Sequence, residues 1–200
     1  TIQSTIDQEF VDILLEKGNE SRAKNLDNRK HLAGQIENEY YYEDFKEWYC
    51  PLFDPYMSAY QVGAISDGRH LFKKPVIGYE MMSLWINYQQ AYEYNPPHNH
   101  GGHLSFVIYL QVPEEIVKEN KETKHEHNNP GPGMICFDLG PEMPYSVTRV
   151  GHMPKAGDIF IFPAWLQHHV NAFKSDVERI SVSGNLKFKE VDLSKLPKII

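Results

Sequence analysis

The sequence predicts a mainly β fold with flanking helices (α+β), of the sandwich, barrel or jelly-roll kind, on three observations. The first third carries apolar residues at three- and four-residue spacing, the period of a helix. From Tyr79 onward the pattern changes to short β-type runs separated by turn-forming residues. Two hundred residues, 41% hydrophobic and 24% charged, suit one soluble domain with a buried core.

Taken in order, Ile6, Phe10, Ile13 and Leu14 make one apolar stripe, so a helix is expected there. The segment 21–39 is polar and charged, with a helix expected at most near residues 30–36. Residues 44–60 carry Phe45, Trp48, Tyr49 and Leu52, but Pro51 and Pro55 should interrupt or end any helix. Proline lacks the N–H, and its ring collides with the preceding turn. Strands are expected over 81–88, 104–112, 134–139, 145–150, 158–162, 168–173 and 179–188. Asn95-Pro96-Pro97, Gly101-Gly102, Gly140-Pro141 and Lys155-Ala156-Gly157 serve as separators. Residues 114–133 form a long insertion, charged and then rich in Asn, Pro and Gly. Its length marks a functional or disordered loop and would suit a lid over the site. With no repeat or linker, residues 1–200 read as one domain. It has a mostly helical part (1–78) bracing one sheet, a β core (79–188) and a tail (189–200).

Strand faces add detail. Leu104, Phe106, Ile108, Leu110 and Val112 share one face of their strand; Ser105, Val107, Tyr109 and Gln111 share the other. On the last strand Arg179, Ser181, Ser183 and Asn185 alternate with Ile180, Val182 and Leu186. A polar face of this kind meets water on an edge strand or lines the pocket of a small barrel.

Composition excludes several classes. Twenty basic against twenty-seven acidic residues give a net charge of −7, which argues against a broad electrostatic grip on nucleic acid. The longest apolar runs fall far short of the roughly 18 residues that span a bilayer. Thr1-Ile2-Gln3-Ser4 starts polar, without a signal-type apolar run. Two cysteines, Cys50 and Cys136, provide no disulfide framework, and a reducing, cytoplasmic setting is the natural reading.

Ten histidines are present, eight of them between His98 and His169. His98 and His100 stand two apart, so on a strand they share a face. Gly157 to Pro163 reads as turn, apolar strand and stop, delivering a new strand at His168, with His169 on its opposite face. Iron that keeps open positions usually takes two histidines and one carboxylate. Here position 100 is histidine, and the nearest acids are Glu93 and Glu114. Three arrangements are open: an all-histidine site of His98, His100 and His168; His98 and His168 with water in the third place; or a polar rim without metal. His103 reads as a loop residue behind such a site. His31, His70, His125, His127 and His152 read as solvated.

The runs Leu84-Trp85-Ile86-Asn87-Tyr88, Asn95 to His100 and Leu104 to Leu110, with Gly157 to Pro163, Trp165 to His168 and Arg179-Ile180-Ser181, carry a resemblance. Together, over residues 79–188, they resemble a family of 2-oxoglutarate/Fe(II)-dependent oxygenases found in phages and bacteria. The resemblance implies a double-stranded β-helix, or jelly roll. It implies Fe(II) at His98, His100 and His168, and 2-oxoglutarate as cosubstrate with its far carboxylate on Arg179 and Ser181. A guanidinium fork and a hydroxyl suit that carboxylate. Tyr109 is a further candidate donor to the cosubstrate and Tyr88 a weaker one. The implied activity is hydroxylation of a peptide or small-molecule substrate with dioxygen, releasing succinate and CO2, in the cytoplasm or in the host cytoplasm of a phage. The family's usual motif has Asp or Glu where this chain has His100. Two other readings compete: a cupin-type metalloenzyme that does not use 2-oxoglutarate, and a non-catalytic jelly-roll binding or virion-associated module. Cupins usually add a glutamate just after the His-x-His pair, where this chain has Gly101-Gly102-His103, and Arg179 argues for the oxygenase.

Overall fold

The computed structural model describes residues 1–66, 77–123, 130–141 and 143–190. Along the chain run β1 (Ile2–Thr5), α1 (Gln8–Ala23), a 3-10 turn (Arg29–His31), β2 (Glu39–Tyr41) and α2 (Phe45–Ser66). Then come β3 (Ile77–Gln89), β4 (Asn95–His98), β5 (Leu104–Gln111), α3 (Glu114–Thr123), β6 (Ile135–Asp138) and β7 (Arg149–His152). The last strands are β8 (Asp158–Pro163), β9 (His168–Val170) and β10 (Arg179–Glu190). Among the described residues the strands form two antiparallel sheets, ordered β1-β8-β5-β10-β3-β2 and β4-β9-β6-β7. The fold is mainly β and jelly-roll-like, with helices on the outer face of the larger sheet. No described helix is long and apolar enough to cross a membrane.

Central strand β5 shows why this arrangement forms. Residues Leu104 to Leu110 are buried on both faces, so the face carrying Ser105 and Tyr109 meets the second sheet rather than water. Leu104, Phe106, Ile108 and Leu110 pack under the helices with Phe10, Leu14, Tyr49 and Phe53. Val107 and Tyr109 pack with Ile135, Phe137, Phe160 and Phe162 between the sheets. Phe106 lies 4.7 Å from the ring centre of Phe53 and 5.7 Å from that of Tyr49. Gly184 on β10 makes room for it: a Cβ there would sit 2.5 Å from Phe106 Cζ.

The expected first helix is α1, started by Asp7, whose carboxylate accepts from the Phe10 N–H at 2.8 Å. The interruption expected at Pro51 and Pro55 does not occur, because α2 runs unbroken through both. The prolines are four apart and exposed, while Tyr49, Phe53 and Met57 at the same spacing are buried against the sheet. The lost N–H bonds therefore fall on the wet side of a helix that packing holds in place.

Four further expectations are corrected. Residues 30–36 contain only the one 3-10 turn; beyond it the Gln35 N–H donates to the Tyr94 carbonyl at 2.8 Å, committing the backbone to a bridge instead of a helix. The insertion opens as a docked helix: Ile116 of α3 is fully buried, and Asn120 Nδ2 donates to Pro132 O at 2.8 Å. Glu119 also accepts from the Lys174 and Ser175 backbone, so α3 is fastened rather than lid-like. The strand expected from residue 145 starts only at Arg149. Asn95-Pro96-Pro97, read as a separator, belongs to edge strand β4. The three-residue β2 and four-residue β1 are strands that the sequence reading did not anticipate.

A bulge in β3 sets which of its side chains face inward between the sheets. Opposite β10, Asn185 pairs with Ser83 but Leu186 with Met81, so Met82 is an extra residue in β3. The phase change lets Met81 and Leu84 both enter the core under the helices. It turns Trp85 and Asn87 toward a cavity between the sheets.

Candidate functional site

His98 and His168 meet because β4 pairs with β9 through a bulge. Asn95 opposes Val170 and His98 opposes His168, three steps against two. Pro96 and Pro97 have no N–H to give a regular ladder, which confines this sequence to an edge and forces the irregular register. His100 follows in a loop tied down by its own N–H to Ala164 O (2.9 Å) and by Ala164 N–H to His103 O (3.0 Å). One ligand-capable nitrogen from each ring of His98, His100 and His168 lies within 4.8 Å of the others, a spacing that could hold a metal ion.

Two of the rings are oriented by the backbone. Nδ1 of His98 is 2.6 Å from Pro96 O, and Nδ1 of His168 is 3.0 Å from Leu166 O. A carbonyl only accepts, so both Nδ1 atoms carry the proton and leave Nε2 with a free lone pair. Burial, then the neighbouring His168 and His98, pushes the His100 pKa down to about 3. Burial, then His98, pushes His168 down to about 4, and burial lowers His98 as well. All three are neutral at neutral pH, the state a metal requires.

The cavity beside them measures about 150 Å³. Arg179, Ser181 and Tyr109 also line it, so the sequence-derived candidates fall in one place. Arg179 is 2% exposed and lies with its guanidinium 5.3 Å over the Tyr109 ring. Its Nη1 donates to Gly133 O at 2.8 Å and its Nη2 to Gln89 Oε1; Nε has no partner. No described carboxylate pairs with it, and burial lowers its pKa. Gly133 presents its carbonyl from a left-handed turn (φ 71°) in which a Cβ would strike Ile116 at 2.3 Å. The Tyr109 hydroxyl is buried without a partner, and burial raises its pKa to about 12, so it stays a donor. Ser181 Oγ accepts from Asn87 Nδ2 at 3.4 Å.

A buried cation without a counter-charge is costly. With the unpartnered Arg179 Nε and Tyr109 hydroxyl beside it, that cost makes this end of the cavity fit an anionic ligand. Three neutral imidazoles converge at the other end, so the residues present fit a divalent metal together with a carboxylate-bearing cosubstrate.

Other candidates lie elsewhere. Tyr88 is not in the cavity: its hydroxyl donates to Asn19 Oδ1 under the helices, with Arg22 stacked 4.3 Å over its ring. His169 faces away from His168, toward Asp138 at 3.7 Å. His103 is an exposed loop residue whose Nδ1 accepts from Phe188 N–H at 2.8 Å. His152, read as solvated, packs 5.4 Å from the Phe160 ring centre, and His31 lines the cavity mouth. His70, His125 and His127 lie outside the described residues.

The sequence reading missed Asn87, Gln89 and Glu39. Alternation along Trp85-Ile86-Asn87-Tyr88-Gln89 carried the signal for the first two. Glu39 gave none, sitting in a very short edge strand inside a polar segment.

The chain matches a family profile described as 2OG-Fe(II) oxygenase over residues 83–185, which takes in the site residues from β3 to β10. Among curated proteins none matches. Among solved structures it is similar to a Pseudomonas putida prolyl-4-hydroxylase, at 15% identity and TM-score 0.58, covering 94% of this chain and 92% of that one. A viral collagen prolyl hydroxylase from Paramecium bursaria Chlorella virus-1, solved as a 2OG complex, is similar at 15% identity and TM-score 0.51, covering 93% and 96%. A carbocyclase of nogalamycin biosynthesis, non-haem and α-ketoglutarate-dependent, is similar at 12% identity and TM-score 0.56, covering 92% and 77%. At these identities the structural likeness speaks for the fold.

Proposed function

Because this chain belongs to the 2OG-Fe(II) oxygenase family, we propose that it hydroxylates a C–H bond of a peptide or small-molecule substrate, releasing succinate and CO2. Family membership makes it a 2-oxoglutarate/Fe(II)-dependent enzyme and sets aside the cupin-type and non-catalytic readings. One observation carries the assignment of residues. A histidine triad and a buried guanidinium without a carboxylate partner line the same cavity.

His98, His100 and His168 would hold Fe(II), the first and last through Nε2. Bound there, iron supplies the oxidising chemistry that couples decarboxylation of 2-oxoglutarate by dioxygen to hydroxylation of the substrate. Arg179 takes the cosubstrate's far carboxylate through the Nε edge that the protein leaves free, and Ser181 and Tyr109 donate their hydroxyl hydrogens to it. Gln89 and Gly133 each take one hydrogen from an Nη, which fixes the plane of the fork. Val107, Ile135, Phe162 and Val170 line the site with apolar surface and limit water there. An all-histidine ligand set leaves the metal one negative charge short of the usual two-histidine, one-carboxylate set.

We read residues 1–200 as one functional unit. Two free cysteines, Cys50 and Cys136, suit the cytoplasm of a cell or of a phage's host. Anaerobic addition of Fe(II) and 2-oxoglutarate should give the weak visible charge-transfer band of the chelate, and admitting oxygen should then yield succinate. Folded protein giving neither band nor succinate overturns the proposal.

A further inference from the structure

Among the described residues, four buried side-chain atoms without a hydrogen-bond partner belong to residues lining this same cavity: Arg179 Nε, Tyr109 Oη, Asn87 Oδ1 and Glu39 Oε2. The first two are the donors assigned to the cosubstrate. The other two are acceptors, and 2-oxoglutarate, which offers only oxygen lone pairs at neutral pH, cannot satisfy them. They stand together because Glu39 of β2 and Asn87 of β3 are directly paired across the sheet. Side chains so paired share a face with Cβ atoms about 5 Å apart. Asn95 adds a third oxygen. A Cβ built on Gly34 would lie 2.9 Å from Glu39 Oε1 and 2.6 Å from Asn95 Oδ1, so both oxygens close on the same point of the cavity wall.

Glu39 is 2% exposed, and no described cation pairs with it. Burial first, then Glu93 and Asp27, raises its pKa to about 8 against a smaller opposing effect of Arg29. Arg29 is itself held by Asp27, through Nη2 to Oδ2 at 2.8 Å. Glu39 therefore holds its proton at neutral pH while the cavity is empty, and the corner around it is lined mainly by oxygens. A cation arriving there would favour the ionised carboxylate and pair with it, which a neutral ligand cannot do.

We infer that the substrate presents a protonated amine or guanidinium to Glu39 and Asn87, and that Glu39 sets the enzyme's preference for a basic substrate. The inference rests on the oxygenase reading only in calling the ligand a substrate. Position supports a side chain of lysine or arginine length. Trp85 lies two residues from Asn87 along β3, roughly 7 Å, and its ring centre is 5.9 Å from that of His100. A cationic head at Glu39 thus leaves several carbons of the same group reaching toward the histidines. One group with two or more N–H donors can serve both Glu39 and Asn87 Oδ1, which a hydroxyl cannot.

The test uses the full chain and calorimetric titration with N-acetyl-lysine amide and N-acetyl-arginine amide. Their neutral counterparts are N-acetyl-norleucine amide and N-acetyl-citrulline amide. Titrations run with Mn(II) and 2-oxoglutarate present and again without them. The cationic probes should bind at least about tenfold tighter than the neutral ones, and E39Q, shown folded by circular dichroism, should reduce that preference to about twofold or less. Equal binding of charged and neutral probes to the unmodified chain, no binding of either cation at millimolar concentration, or a preference that survives in E39Q overturns the inference. Failure of Mn(II) and 2-oxoglutarate to bind counts against the oxygenase reading instead, because the charge preference is also read in their absence.

Discussion

His98 and His168 are partners across the β4–β9 pair, their ring centres 4.3 Å apart, each ring held through Nδ1 by a carbonyl two residues before it. Two neutral imidazoles so fixed present their Nε2 lone pairs without rearrangement. His168→Ala or His98→Ala should weaken Fe(II) binding by about 100-fold or more, since loss even of a group behind a ligand commonly costs 10- to 100-fold. The chelate band measures it, and circular dichroism should stay unchanged. His100→Asp should keep the metal, because it restores the more usual donor set. Loss of the band in that variant alone would show that the site is built around three imidazoles.

Arg179 carries a second prediction. Arg179→Ala should raise the 2-oxoglutarate KM on the order of 100-fold, about 3 kcal/mol, as expected for losing charge-assisted hydrogen bonds. Saturating cosubstrate should recover much of kcat. Arg179→Lys keeps the charge but not the fork and should fall between. Succinate formed against 2-oxoglutarate concentration gives both numbers. An unchanged KM in the alanine variant would move the cosubstrate carboxylate elsewhere. Some loss of thermal stability should accompany it, because Gly133 O and Gln89 Oε1 lose their donor.

These residues were legible in the sequence for a physical reason. β5, β8 and β10 are long enough for period-two patterning to show; His168 and Arg179 open β9 and β10, and His98 closes β4 with His100 two residues on in the loop. What was not legible depends on tertiary contact. β2 has three residues and becomes a strand only by pairing with β3, so Glu39 looked like one more charge in a polar stretch. Pro51 and Pro55 read as breakers because their exposure was unknown, whereas Tyr49, Phe53 and Met57 hold α2 straight across them. Alternation puts Tyr88 and Asn87 on opposite faces, but which face meets Asn19 under the helices and which the cavity is decided by tertiary packing. The bulge at Met82 that resets the phase of β3 has no sequence marker.

Phe106 tests the packing between helices and sheet. It touches Tyr49 and Phe53 and covers Gly184. Phe106→Ala should cost about 3–5 kcal/mol by opening a cavity. Gly184→Ala should destabilise by the opposite route, driving a methyl to 2.5 Å from the Phe106 ring. In the double variant the ring clash is relieved while the 2.7 Å approach of the same Cβ to Ser83 O remains, so the total cost should fall only partly below the sum of the two. Denaturant unfolding of the four proteins reads this coupling, and strict additivity would mean that Ser83 O rather than Phe106 sets the cost at Gly184.

Glu39 gives the fold a pH dependence whose sign is set by its burial. Its folded pKa is raised to about 8, with Glu93 and Asp27 adding to burial and Arg29 opposing them. An unfolded chain releases this proton near the ordinary value of about 4.3. Between the two values the folded chain holds the proton that the unfolded chain has lost, so stability falls as pH rises through that window and levels off above it. E39Q removes the titrating group while keeping its shape. Its unfolding free energy should match that of the unmodified protein near pH 4 and exceed it progressively up to about pH 9, by an amount on the order of a few kcal/mol. A protonated amine bound at Glu39 should flatten the decline in the unmodified protein, since it favours the ionised carboxylate. Melting curves of the two proteins that run parallel across the whole range would mean that Glu39 is already ionised in the empty cavity.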